Sequence, residues 1–172
     1  MPRGFMRFVF LFCAAVGGVW LVLALLSAPR EIKTEIVIEA PIGTVWKELV
    51  DFDNYPAWNP LITYISGPVV VGSRLEVRVQ PPGGSPMTFH PVLEEAKETQ
   101  RLQWTGVLFI PGLFDGTHRF EMEFYDMGKV KFTQTESFSG LLVGPLTDSM
   151  LARTEQGFKE MNEALKKRCE RR

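Results

Sequence analysis

The sequence predicts an α+β domain in which a curved antiparallel sheet holds one long carboxyl-terminal helix on its concave face. Alternation of apolar and polar residues, which is typical of strands, recurs in several segments between residues 32 and 138. Near the end of the chain, the residues of one face recur instead at steps of three and four, which indicates a helix. These residues are Leu151, Thr154, Phe158, Met161 and Leu165. An uncharged run at residues 8–26 predicts a membrane segment ahead of the domain.

The uncharged run is long enough to cross a bilayer once. At about 1.5 Å per helical residue it would extend roughly 28 Å, which is close to the thickness of the hydrocarbon core. A cleaved signal peptide is the alternative, because Arg3 and Arg7 precede the run. We favour a retained single-pass amino-terminal anchor at residues 1–28, followed by one folded domain at residues 30–172. The side of the membrane stays open, because the excess of positive charge before the run is small.

The first elements of the domain are predicted to be a strand and two short helices. Isoleucines from Ile32 to Ile38 alternate with charged residues, and Pro41 ends this strand. A helical face follows, made of Val45, Trp46, Leu49 and Val50. The segment 53–60, DNYPAWNP, has the composition of a turn around a second short helix or bend.

The middle of the chain is predicted to add antiparallel strands. Alternation places Leu75, Val77 and Val79 on one face of a strand, and the proline- and glycine-rich segment 81–86 connects it to the next. Segments 87–94 and 101–106 continue the sheet. Segments 117–125 and 130–138 flank the turn DMGK, so they form a hairpin.

Composition excludes several functions. The chain has 19 basic and 20 acidic residues and no basic stripe interleaved with aromatic residues, so we expect no nucleic-acid partner. Two distant cysteines give no disulfide framework, and two histidines on opposite strand faces give no metal site. No glycine-rich loop has phosphate-binding spacing. We therefore expect neither a metal nor a cofactor.

One inward-facing polar cluster follows from the hairpin. The DMGK turn sets a register in which His118 lies opposite or diagonal to Glu136, and Phe120 lies near Gln134. The pair is a candidate general acid or base, or a holder of a ligand's polar head. The simpler interpretation, a buried pair that fixes the register, is the one we favour. Alternation sends His90 to the opposite, solvent-facing side.

Several fragments together resemble a known superfamily. They are Ala40-Pro41 with Val45-Trp46, then segments 55–60, 116–120 and 136–140, and finally Gly157-Phe158 with segment 161–166. In this order they resemble the START-like (SRPBCC) superfamily of helix-grip folds, which includes polyketide cyclase/dehydrase-type and lipid-transport proteins. The resemblance implies a sheet of about seven strands that grips the last helix. It also implies an elongated cavity between them for an apolar ligand, with Trp58 and Asn59 near one end.

The inward faces predicted from alternation agree with such a cavity. They carry Leu75, Val77, Val79, Leu102, Trp104, Phe120, Met122, Phe124, Val130, Phe132 and Phe138, opposite Phe158 and Met161. This lining would suit a sterol, an acyl chain, an isoprenoid or a polyaromatic compound, and the alternative is a packed core without a cavity. Two uncharged loops, 107–114 and 140–146, are interpreted as a satellite core or as caps of the cavity.

We therefore expect a monomeric, membrane-anchored protein that binds a hydrophobic small molecule or lipid between the sheet and the last helix. The alternatives are a polyketide cyclase-, aromatase- or dehydratase-like enzyme, with His118 and Glu136 as the candidate catalytic residues, and a co-chaperone-like interaction module. We expect a binding protein rather than an enzyme. The predicted ligand-binding residues are Trp58, Asn59, Val77, Trp104, His118, Phe120, Met122, Phe132, Gln134, Glu136, Phe158 and Met161.

Overall fold

The computed structural model describes residues 29–107, 112–140, 143 and 148–171. The predicted membrane anchor at residues 1–28 lies outside the described residues, as do residues 108–111 of the first uncharged loop and 141–142 and 144–146 of the second. Among the helices that are described, none combines the length and the apolar character needed to cross a membrane.

The larger of two sheets has five antiparallel strands. In chain order they are β1 (Arg30–Ile38), β5 (Val92–Lys97), β6 (Arg101–Val107), β7 (Asp115–Asp126) and β8 (Lys129–Ser139). Their spatial order is β1-β8-β7-β6-β5, so each strand from β5 to β8 pairs with its neighbour in sequence and β1 closes one edge. The burial pattern confirms the alternation predicted for β1 and for most of the β7–β8 hairpin.

A second sheet contains three strands, β2 (Ile62–Ser66), β3 (Glu76–Val79) and β4 (Met87–Phe89), in that spatial order. The described chain thus has eight strands, where about seven in one sheet were expected. The predicted strand at 87–94 is divided between the two sheets, because Pro91 has no N–H to donate to a continuous ladder. The sheets meet beside this break, where the Leu75 N–H donates to the Pro91 carbonyl at 2.8 Å.

The β7–β8 hairpin has the register that its turn predicted. His118 pairs with Glu136 and Phe120 with Gln134, and Gly128 in the turn has φ of 72°. The inward position predicted for Phe124 is wrong, because its side chain is 76% exposed. Strand β6 begins at Arg101, so the described residues place no strand beside Phe124 on that side.

The helices are α1 (Ile42–Val50), a 3-10 helix at Phe52–Ala57, and α2 (Asp148–Glu170). The predicted apolar face of α2 is confirmed at Phe158, Met161 and Leu165, which are buried against the sheet. Gly157 permits a close approach at this face, because a Cβ there would lie 2.7 Å from the Leu61 side chain. Helix α2 therefore packs closely on the segment that leads into β2.

Candidate functional site

A cavity of about 160 Å³ lies between the first half of α2, the second sheet and the adjoining ends of β6, β7 and β8. Its wall is mostly apolar, and its hydroxyl, imidazole and carboxyl groups belong to Thr154, His118 and Glu136. The lining residues are Leu61, Ile62, Val77, Val79, Pro81, Met87, Phe89, Pro91, Trp104, Gly106, Phe114, Gly116, His118, Glu136, Phe138, Thr154 and Phe158.

Two glycines on neighbouring strands explain why the interior is hollow at this place. Gly106 on β6 pairs with Gly116 on β7, and both line the cavity. Two residues further along the same face, Trp104 pairs with His118. After another two residues, Leu102 pairs with Phe120. Because side chains of alternate residues share one face of a strand, the inner surface changes from bare backbone to full packing within four residues.

His118 is the polar centre of the cavity wall, and it is 6% exposed. Its Nδ1 is in close hydrogen-bond contact with Glu136 Oε2, and its Nε2 lies 3.0 Å from Gln134 Nε2. Its ring stacks on Trp104 with centroids 5.1 Å apart and meets the edge of Phe158 at 5.0 Å. The imidazole is thus fixed at both nitrogens and on its faces.

Two hydrogen-bond arrangements fit the contacts of His118. With the Gln134 amide oriented as described, its N–H donates to Nε2 and the imidazole proton lies on Nδ1, next to the Glu136 carboxylate; with the amide turned over, Nε2–H donates to Gln134 Oε1. Glu136 Oε1 has no hydrogen-bond partner among the described residues. The pair can therefore move a proton or accept a hydrogen bond at the cavity wall.

Of the twelve predicted ligand-binding residues, five line the cavity. They are Val77, Trp104, His118, Glu136 and Phe158. The other seven lie outside its lining: Trp58, Asn59, Phe120, Met122, Phe132, Gln134 and Met161. A role in ligand binding stays a prediction for all twelve, although the seven outside the lining pack within or against the core.

Two groups among those seven have visible structural roles. Asn59 Oδ1 accepts the backbone N–H groups of Leu61 at 3.0 Å and Ile62 at 2.8 Å, which fixes the entry to β2. Trp58 packs edge-on against Tyr55 with ring centroids 4.9 Å apart. Both residues therefore stabilise the bend before β2.

Sequence reasoning missed several cavity residues. The glycines had a usable signal, because Gly106 and Gly116 fall on the same alternating faces as Trp104 and His118. Met87 and Phe89 also alternate, but their position in the wall depends on the separate second sheet, which the sequence did not predict. Thr154 was predicted on the inward face of α2 and lines the cavity there.

Outside the cavity, the described ranges contain no cluster of histidine, cysteine and acidic residues that could hold a metal ion. Burial of Cys169 near the end of α2 raises the pKa of its thiol to about 12. Since the thiolate is the reactive form, we expect this cysteine to be inert in the folded domain.

Comparison with protein families gives a match over residues 29–170 to the family described as "Polyketide cyclase / dehydrase and lipid transport". The chain belongs to this family. The match covers the whole described domain, and the family has the helix-grip fold of the START-like superfamily. The resemblance stated from the sequence fragments is therefore confirmed. As a member of this family, the chain has a domain that binds hydrophobic ligands.

Solved structures support the fold assignment. A Zhui aromatase/cyclase from Streptomyces sp. R1128 is 18% identical with a TM-score of 0.67, over 84% of this chain and 95% of that chain. A START superfamily protein from Mycobacterium smegmatis is 17% identical with a TM-score of 0.65, over 81% and 97%. These chains consist almost wholly of this one domain, so the fold forms without further segments. No curated protein matches this chain.

Proposed function

We propose that this protein is a membrane-anchored binding protein for a hydrophobic small molecule or lipid, held between the curved sheet and α2. The observation that carries the proposal is the apolar cavity, whose polar groups are gathered mainly on one wall, at His118 and Glu136. Binding sites for apolar ligands have this composition, with a few fixed polar groups that orient the ligand.

The size of the cavity limits what it can enclose. At about 160 Å³ it resembles an engineered cavity of about 150 Å³ that takes up benzene. It would therefore surround one ring or a short length of acyl chain. A larger ligand would extend past Met87, the most exposed side chain of the wall at 45%. This fits a ligand that is inserted by one end rather than engulfed.

The position of the cavity supports a membrane role. Strand β1 begins at Arg30, which pairs with Phe138 in the cavity wall and binds Asp148 at the start of α2. Gly106 and Gly116 lie at this same end of the sheet. A membrane helix at residues 8–26 would enter the domain here, so a ligand would have a short path between bilayer and cavity.

Binding is tested by filling the cavity from α2. In the fragment 29–172, Thr154→Trp should place an indole inside the cavity and abolish saturable uptake of an environment-sensitive apolar dye. Arg153→Trp is the matched control, because Arg153 is exposed on the neighbouring helix position. Equal uptake by both variants, each correctly folded, would contradict the proposed location.

Anchoring is tested on the full chain. Residues 8–26 should keep the protein in the membrane fraction through a wash at alkaline pH, because a spanning helix is not released by removal of peripheral contacts. Release by the wash, or a mature amino terminus near Pro29, would contradict the anchor.

A second candidate function, acid–base catalysis as in cyclases, is favoured by the hydrogen-bonded His118–Glu136 pair at the cavity wall. Such a pair should exchange the methyl protons of a small aryl ketone such as acetophenone for deuterium from the solvent. Glu136→Gln should abolish this exchange, whereas exposed His90→Gln should not. Exchange no faster than in buffer would leave binding as the function.

A further inference from the structure

We infer that the ligand carries a hydroxyl head, which donates a hydrogen bond to Glu136 Oε1, and that a free carboxylate head is rejected. The inference rests on the proposed function, because it assigns a chemical class to the ligand of the same cavity. It follows from which polar atoms of the cavity wall already have hydrogen-bond partners within the protein and which do not.

The donors of His118 are used within the protein. In the described orientation, Nδ1–H donates to Glu136 and Nε2 accepts from Gln134. Turning the Gln134 amide over would let Nε2–H donate to Gln134 Oε1, a buried oxygen that otherwise has no partner. In either arrangement His118 offers no free N–H to a ligand.

The other polar groups of the wall supply no cation for an anionic head. The Thr154 hydroxyl donates to the Met150 carbonyl at 3.0 Å, so it can only accept a further bond. The indole N–H of Trp104 is a donor but is neutral. The lining contains no lysine or arginine. A ligand carboxylate would therefore meet the Glu136 charge without a free cation, whereas a hydroxyl can both donate and accept.

Gly116 gives Glu136 Oε1 its place in the wall. A Cβ at Gly116 would lie 2.8 Å from this oxygen, so a methyl group there would push the carboxylate end aside. The displaced atom ends a flexible side chain, so Gly116→Ala should fold. At Gly106, its partner on β6, an added Cβ would make only ordinary contacts, the nearest at 3.7 Å to Pro91. The two alanines add the same volume to one cavity, but only one touches Glu136.

The test compares para-pentylphenol, its methyl ether para-pentylanisole, para-pentylbenzoate and pentylbenzene by calorimetry on the fragment 29–172. We expect the phenol to bind about tenfold more tightly than the methyl ether, as the loss of a hydrogen bond to a charged group predicts. The benzoate should bind most weakly. Full-length protein in nanodiscs, with empty nanodiscs as the reference for partitioning, should give the same order.

The variants assign the preference to one oxygen. Gly116→Ala should reduce the phenol-to-anisole ratio to about one, whereas Gly106→Ala should weaken all probes alike and keep the ratio. Glu136→Gln should raise the relative affinity for the benzoate about tenfold, because it removes the charge and adds a donor. If that variant does not fold, the pair of glycine variants is sufficient.

Two failures are distinguishable. Equal affinity of the wild-type protein for phenol and methyl ether, or tightest binding of the benzoate, would overturn the hydroxyl assignment while saturable binding upheld the proposed function. No saturable binding of any probe, pentylbenzene included, would overturn both. A phenol preference that survives Gly116→Ala and Glu136→Gln would place the receiving atom elsewhere and also overturn the inference.

Discussion

The two ends of the interior have the same strands and the same alternation, but one is packed and the other is hollow. At the packed end, Met122 pairs with Phe132, and both side chains are buried. At the hollow end, Gly106 pairs with Gly116, and the wall is completed by the second sheet. Alternation therefore tells which side chains point inward, whereas side-chain volume at each pair decides whether a ligand can enter.

The largest expected effect separates the two ends on one strand. Phe132→Ala should cost about 3–5 kcal/mol of unfolding free energy, because it leaves a void in a packed region. Phe138→Ala, at a partly buried position in the cavity wall, should cost only about 1 kcal/mol, because less apolar surface is lost and no new void forms in a packed region. Guanidinium unfolding of fragment 29–172 measures both. Similar losses for the two variants would show that the interior is uniform.

The next comparison lies on β7. Met122→Ala should cost about 2–5 kcal/mol, because its side chain is buried. Phe124→Ala, two residues along the same face, should change stability by less than about 0.5 kcal/mol, since the ring is mostly in solvent. The same unfolding assay applies. A large loss at Phe124 would mean that the hairpin tip is covered in solution.

The polar pair should be coupled energetically. A double-mutant cycle with His118→Gln and Glu136→Gln should give a coupling energy of about 0.5–3 kcal/mol in unfolding measurements, because the two side chains are in direct contact in a buried site. Exposed His90→Gln is the control and should show no coupling to Glu136→Gln. Additive effects of the first two substitutions would contradict the observed contact.

The last effect is absent near neutral pH and appears only under alkaline conditions. Burial raises the pKa of Cys169 to about 12 and raises that of Tyr55, whose hydroxyl donates to the Leu49 carbonyl at 2.6 Å. The unfolded chain then loses these protons before the folded one, so stability should fall as pH rises above about 9. Each group contributes a slope of at most about 1.4 kcal/mol per pH unit. Cys169→Ala and Tyr55→Phe should each flatten the slope, and unchanged slopes would contradict these shifts.

The elements that sequence alone predicts best are those set by local rules. The DMGK turn fixes the β7–β8 register, and helical spacing identifies the buried face of α2, so the His118–Glu136 pairing followed directly. Local rules fail where burial depends on an element that is distant in sequence. Phe124 is exposed because β6 begins at Arg101, opposite Glu121, and does not extend alongside it, which the sequence of β7 does not encode.

The shape of the cavity was less predictable than the fold. Its far wall uses Met87 and Phe89, and their role depends on a break at Pro91 that sends the strand to a second sheet. Strand β2 was missed because the proline- and asparagine-rich segment before it indicated only a turn. Predicting the lining residues therefore requires the packing of both sheets, whereas predicting that a side chain points inward requires only the pattern of its own strand.

The position of a bound ligand distinguishes the hollow end from every other site. Crystals of fragment 29–172 soaked in iodobenzene should give an anomalous iodine peak between Gly106, Gly116 and Phe158, and Thr154→Trp should remove it. A peak beside Phe132 and Met161, or peaks on the surface alone, would contradict the cavity as the ligand site.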